Sequence, residues 1–286
     1  VAAGRLAATT YEGDAMSNAF TFQAPKLRSQ LLDLLDEHGK SARILAGGTD
    51  VMIDLRHGFA RPKMVVDLKH VQGFSDVAWS DADGLIIRPA VSLTAILTNE
   101  RIREKYPLLI ACARDLASHQ LRNRATVIGN VVNASPCADM SPALLCLGAT
   151  AVLSSKSGQR EVPFQEFFTG VKRTVLQPDE ILEEIHVPIE TAESRGAYRK
   201  LKRIKGHDLG IVGVAAMHKD GVLRLGISSC APTPLLVDGL HASDDPDAVV
   251  AAAKAAISPI SDLRCSKEYR THMVGVFVRR VLREVA

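Results

Sequence analysis

The segment from Thr126 to Asp139, TVIGNVVNASPCAD, sets short side chains, carboxamides and one acid inside an otherwise apolar run. Such a segment is suited to wrapping something polar. It has a partner upstream in Ala46-Gly47-Gly48-Thr49-Asp50. There, two glycines let the backbone come close to a ligand and expose consecutive N–H groups as an anion-binding nest. Together the loops could hold one long dinucleotide. Taken singly, each has a plainer reading: a GGTD stretch is more often just a turn, and the second loop reads equally as a polar β-turn followed by a capped helix.

The bulk properties leave few other classes open. A chain of 286 residues can bury a sizeable core and fits two domains better than one. A net charge of +3 implies neither nucleic acid nor a membrane surface as partner. No apolar stretch approaches the roughly 20 residues that span a bilayer. Residues 1–16 have no basic start followed by an apolar block and read as a leader or linker, with Met16 a candidate natural start. The five cysteines are spread without the short spacing of a zinc or iron–sulfur site, and the nine histidines likewise. A reduced, cytoplasmic setting is the simplest account. Walker and GxGxxG fingerprints are absent, which argues against a Rossmann site.

Periodicity predicts a helix on Leu31, Leu32, Leu34 and Leu35 ended by Gly39, a strand over Ala42 to Leu45, and helical turns from Val51 to Leu55. Strands are expected at Val65–Leu68, Leu85–Ile87, Ala149–Leu153 and Glu161–Pro163, with a helix at Leu108–Leu116. Ser141 and Pro142 read as the cap and first-turn proline of a helix through Leu147. After a polar break near 190–196, strands at 210–217 and 222–228 precede helices at 248–257 and 269–285. Strands followed by helices suggest an α+β unit.

Both loops, in this order, resemble those of the FAD-binding medium subunit of molybdenum hydroxylases, the group that includes the flavin subunits of xanthine dehydrogenase and aerobic carbon monoxide dehydrogenase. The resemblance continues in Phe164–Gly170, Pro178–Leu182, Tyr198–Asp208, Ala231–Pro234 and Ser266–Arg270, so it runs from about Phe20 to the C-terminus. It implies an α+β chain: a two-lobed FAD-binding domain of the vanillyl-alcohol-oxidase/PCMH type over residues 17–188, divided near 70–75, then a CO dehydrogenase flavoprotein-type domain over 195–286. It further implies FAD in this subunit, with [2Fe–2S] clusters in a small partner and the molybdenum cofactor in a large one, assembled as a dimer of heterotrimers. Electrons would pass through the FAD to an external acceptor. No residue is expected to ligate metal, and none to be catalytic in its own right.

The site residues follow from the same two sources. Gly47, Gly48 and Thr49 offer two amides and a hydroxyl to phosphate, while Asp50 braces the loop or caps the next helix. Thr126, Asn130, Asn133 and Ser135 provide donors, and Asp139 an acceptor for ribityl or ribose hydroxyls. The resemblance adds Arg43, Ile44, Leu45, Ala46, Val127, Ile128 and Gly129 to the lining, with Ile181 and Lys200 nearby. A cation at Lys200 beside the flavin ring would raise its reduction potential; alternating cations also describe the solvated face of an edge strand. Arg122 and Asn123 could brace the second loop. Two positions depart from the family pattern. Ile128 stands where a glycine is usual, and Arg88-Pro89 where a glycine precedes small residues. A β-branched residue is costly at positive φ, so Ile128 either keeps negative φ with its side chain turned away or weakens binding. If the family geometry holds, a glycine at Ile128 should leave FAD occupancy unchanged or improved, and a marked loss of FAD would mean that Ile128 packs against the cofactor. The competing functions are a stand-alone flavin reductase of the same superfamily and a flavin-free scaffold subunit.

Overall fold

Strand β1 (Thr9–Thr10), β2 (Thr21–Gln23), β3 (Ala42–Leu45) and β4 (Met64–Asp67) form the first sheet, in the order β1-β2-β4-β3. These come from a computed structural model that describes residues 9–10, 19–80, 84–204 and 206–286. Apart from Thr9 and Thr10, the leader lies outside the described residues. β4 runs parallel to β2 and β3, which requires crossovers, and α1 (Arg28–His38) and α2 (Val51–Arg56) lie in them. Leu31, Leu32 and Leu35 of α1 bury against Met64, Val66 and Leu68, and Gly39 ends the helix at a φ of 45°. Along β3 the two-residue period sends Ile44 toward α1 and Leu45 into a second cluster with Leu55 and Val65.

The second lobe is an antiparallel sheet ordered β5-β6-β11-β7-β8. Its strands are β5 (Val77–Ser80), β6 (Gly84–Ile87), β7 (Thr150–Ser155), β8 (Gly158–Pro163) and β11 (Ile181–Val187); β9 (Phe168–Gly170) and β10 (Arg173–Thr174) form a separate hairpin. Short helices fill the span between β6 and β7: α3 (Leu93–Thr98), α4 (Glu100–Lys105), α5 (Pro107–Asp115), α6 (His119–Arg122), α7 (Val127–Val132) and α8 (Met140–Cys146). Capping explains several of their starts. Ser92, Asn99, Ser118 and Thr126 each accept from a backbone N–H one turn on, at Ala95, Ile102, Leu121 and Gly129.

Two sequence expectations are corrected here. The first part of the second loop is helical, with Val127, Ile128 and Val131 buried in the main core. Ile128 therefore keeps negative φ; it is not among the residues of positive φ. Helix α8 begins at Met140, ahead of Ser141 and Pro142, and all its residues are buried. Ser141 is thus not the cap, and its buried hydroxyl has no hydrogen-bond partner among the described residues.

The C-terminal unit is an antiparallel meander of β12 (Arg195–Leu201), β13 (Val212–Lys219), β14 (Val222–Ser228) and β15 (Leu235–His241), followed by α9 (Pro246–Ala256) and α10 (Lys267–Val285). Both faces of β13 are covered, which is why it reads as an unbroken apolar run. Val212, Val214 and Ala216 pack with Phe277 and Val278 of α10, while Ala215 and Met217 join the core that contains α5 and α8. Gly226 admits α8 on that second face, for a Cβ there would lie 2.3 Å from the Pro142 carbonyl oxygen. A buried guanidinium closes the other: Arg270 donates to the carbonyls of Ile211 (2.6 Å) and Ser229 (3.1 Å) and pairs with Asp262 at 2.9 Å.

Candidate functional site

Three units converge on the two sequence-predicted loops. The first loop leaves β3 with Gly48 in the left-handed region, φ 78°, and enters α2. Among the described residues, the N–H groups of Gly47, Gly48 and Thr49 donate to no protein acceptor. These three neighbouring amides, without a partner among the described residues, lie in a half-buried turn. The missing side chain of Gly47 serves packing. A Cβ on it would sit 2.1 Å from the Arg124 carbonyl oxygen, so its bare backbone is what brings the first lobe against the start of α7.

Asp50 does not cap α2. Its Oδ1 accepts from Asn133 Nδ2 at 2.8 Å and its Oδ2 from Thr49 Oγ1 at 3.4 Å, so the acid ties the two loops together. Asn133 in turn accepts from Lys172 Nζ at 2.7 Å, on the β9–β10 hairpin. Thr126 spends its hydroxyl oxygen on the Gly129 N–H (2.9 Å), Asn130 its Oδ1 on Met140 N–H (3.2 Å), and Ser135 its Oγ on Cys137 N–H (3.2 Å). These contacts fix the path of the chain from α7 to α8.

Asp139, at the end of that path, lies under the C-terminal sheet. Tyr198 Oη donates to its Oδ1 at 2.9 Å and Lys200 Nζ to its Oδ2 at 2.8 Å. The Lys200 side chain is 2% exposed. Burial pushes the Asp139 carboxyl above its usual range, against the pull of the Lys200 charge and of the two hydrogen bonds. Tyr198 is held neutral by burial and by the neighbouring acid, both of which raise its pKa well above the ordinary value. Although β12 is an edge strand, the basic run is paired throughout its described part: Arg199 with Glu284, Lys202 with Asp115, Arg203 with Asp208; Lys205 lies outside the described residues.

The remaining candidates are dispersed. Arg43 is exposed beside Asp54 at 3.6 Å, and Ala46 offers its carbonyl to Lys69 Nζ at 3.4 Å. Ile181 belongs to the core under α1, 3% exposed. Arg122 caps the carbonyls of Arg114, Leu116 and Ala117 at the end of α5, and Asn123 accepts from Thr94, so both hold the helices ahead of the loop instead of the loop itself. Reading by sequence missed Lys172 and Tyr198 as site residues, though both stand in or beside quoted motifs. The lobes are also pinned away from the loops, by Arg28 on Glu183 (2.6 and 2.8 Å) and Lys156 on Asp33 (3.0 Å) and Asp36 (3.3 Å).

Comparison with known proteins matches this architecture. A family model described as the FAD binding domain in molybdopterin dehydrogenase matches residues 18–190, and one described as the CO dehydrogenase flavoprotein C-terminal domain matches residues 196–285. The chain belongs to this family of flavoprotein medium chains, which are oxidoreductase subunits. It is 31% identical over 276 residues to the carbon monoxide dehydrogenase medium chain of Hydrogenophaga pseudoflava, covering 92% of this chain and 96% of that one. It is 30% identical over 257 residues to the putative xanthine dehydrogenase FAD-binding subunit of Escherichia coli K12, covering 85% and 88%. A chain of the reconstituted CO dehydrogenase from Oligotropha carboxidovorans superposes with a TM-score of 0.87 at 29% identity, covering 94% and 98%. Among the described residues no helix is long and apolar enough to cross a membrane.

Proposed function

We propose that this chain is the electron-transfer subunit of a molybdenum hydroxylase complex, taking electrons from the [2Fe–2S] clusters of a small subunit, fed by a large molybdenum-cofactor subunit, and delivering them to an external acceptor. When bound, FAD supplies the redox chemistry that no side chain of this chain provides. The observation that carries the reading is the seat made by two loops from different lobes, with amides on one that have no partner among the described residues and the Asp50–Asn133 bond locking it to the other. Gly47, Gly48 and Thr49 would hold the pyrophosphate, and the chain from Thr126 to Ser135 the neighbouring polar groups. Buried Lys200 and Asp139 present a near-neutral pair at the β12 side. Asp139, with both oxygens engaged, acts there as a brace more than as a free acceptor. A cytoplasmic dimer of heterotrimers is the assembly this reading entails.

The test is purification with the neighbouring gene products, followed by visible spectroscopy and identification of the co-purifying chains. One flavin per chain and two partner polypeptides are expected. A colourless chain whose partners nevertheless assemble would mean a flavin-free scaffold, and a flavinated chain that reduces a substrate alone would mean a stand-alone reductase.

A further inference from the structure

Lys172 sits at φ 58° and donates its N–H, at 2.9 Å, to the carbonyl of Ala134, itself at φ 45°. Two non-glycine residues in the left-handed region, one at the hairpin tip and one in the turn after α7, bonded to one another, are an uncommon cost for a contact between two turns to carry. What they achieve is to place the Lys172 ammonium on Asn133 Oδ1 at 2.7 Å, while Asn133 Nδ2 reaches Asp50 Oδ1 at 2.8 Å. The carboxamide has only one workable orientation, because an ammonium can only donate and a carboxylate can only accept. An acid and a cation from different lobes are thus linked through one amide.

The charge of Asp50 gives this link a purpose. Asp50 directly follows the amides of Gly47, Gly48 and Thr49, and an unbalanced carboxylate there would repel any diphosphate in the nest. We propose that Lys172 is a positioning residue for FAD that acts through Asn133, offsetting the Asp50 charge beside the pyrophosphate and holding the two loops in register. The inference rests on the nest being the phosphate site, and the experiment separates the two.

The full chain is stripped of flavin and titrated with FAD at low ionic strength, following flavin fluorescence, with melting of each apoprotein as a check on folding. Because Asp50 and Lys172 are exposed, the expected effect is modest: Lys172→Met raises the Kd roughly three- to fivefold, and the increase shrinks in high salt. Adding Asp50→Asn to Lys172→Met removes the unbalanced acid and should restore most of the affinity. A purely structural clasp would behave oppositely, since the second substitution cuts a further tie between the loops. A double variant no better than the single one, or a Kd unmoved by Lys172→Met, overturns the proposal. Gly48→Val reports on the underlying reading. If it abolishes FAD binding while Lys172→Met changes nothing, only the role of Lys172 falls; if it too leaves FAD bound, the nest is not the phosphate site and both fall.

Discussion

Replacing Lys200 with methionine keeps most of the apolar stem and deletes one charge from a pair that is almost wholly out of water. At 2.8 Å and an effective dielectric constant of about 20, the attraction between the charges is roughly 6 kcal/mol. Removing both ions from water costs several kcal/mol each, so the intact pair contributes little net stability. Breaking it is another matter, for Asp139 is then left buried with Tyr198 as its one side-chain partner among the described residues. The expected loss is about 3–5 kcal/mol at neutral pH, which lowers the urea midpoint by roughly 1 M or more. The pH dependence has a definite sign. The Asp139 pKa is already raised by burial, and losing Lys200 removes the strongest influence that lowers it, so the variant's carboxyl binds its proton at higher pH. The deficit is therefore greatest at neutral pH and shrinks on acidification into the range where Asp139 is protonated in both proteins. The decisive measurement is a double-mutant cycle with Asp139→Asn, read by urea denaturation. The double variant should be more stable than Lys200→Met by about 2 kcal/mol or more. Additive losses across the cycle would show that the two groups do not depend on one another and would refute the argument.

Ile128→Gly should cost stability: it empties a core position and puts glycine in a helix, at about 3–5 kcal/mol in all, measurable as a lowered denaturation midpoint. Gly47→Ala should push Arg124 away from the first loop, releasing FAD and making the first lobe more susceptible to limited proteolysis, with the 280 nm-normalised flavin absorbance as the readout. Burial would raise the Glu183 pKa, but the bonds from Arg28 and Ser154 outweigh it and hold the carboxyl below its usual range. Its contribution is then present above the ordinary glutamate pKa and lost as pH falls through the depressed one, so Arg28→Gln should flatten that part of an acid-denaturation profile. Arg270→Met, which orphans two buried carbonyls and weakens the hold on Asp262, should lower the stability of the C-terminal unit by about 3 kcal/mol, seen as an earlier transition by tryptophan-independent circular dichroism.

Local signals in the sequence were sufficient where one element's own chemistry decides the outcome. The strand at Ala42–Leu45, the stop at Gly39 and the strand at Val222–Ser228 were legible for that reason. The first turn of the second loop was not, because Gly129 and Asn130 look like loop residues and only the Thr126 cap with three buried aliphatics makes them helical. Ser141-Pro142 imitates a cap pair, yet burial against the C-terminal sheet starts the helix earlier. β15 is not legible in the sequence, since Asp238 and Gly239 interrupt its apolar pattern on an edge where pairing with β14 suffices. The site was legible as two loops, but not as a connected object. Asp50 finds Asn133 across 83 positions and Lys200 finds Asp139 across 61, and no local pattern announces such partners.

The family boundary between residues 190 and 196 divides the chain cleanly on paper, but α8 does not respect it. Every one of its residues is buried, one side of it under β13 and β14, with the Pro142 carbonyl pressed against Gly226 and the Cys146 carbonyl taken by Arg224. The C-terminal unit is accordingly a poor cassette for exchange between relatives. A chimaera joined at residue 192 would set a foreign sheet on this helix, and any residue larger than glycine at the position of Gly226 would lift the sheet off Asp139. Transplanting the unit with its matching helix keeps that surface whole, so the natural joint for engineering lies in three dimensions, around α8, and a crossover in the linker would cut through it.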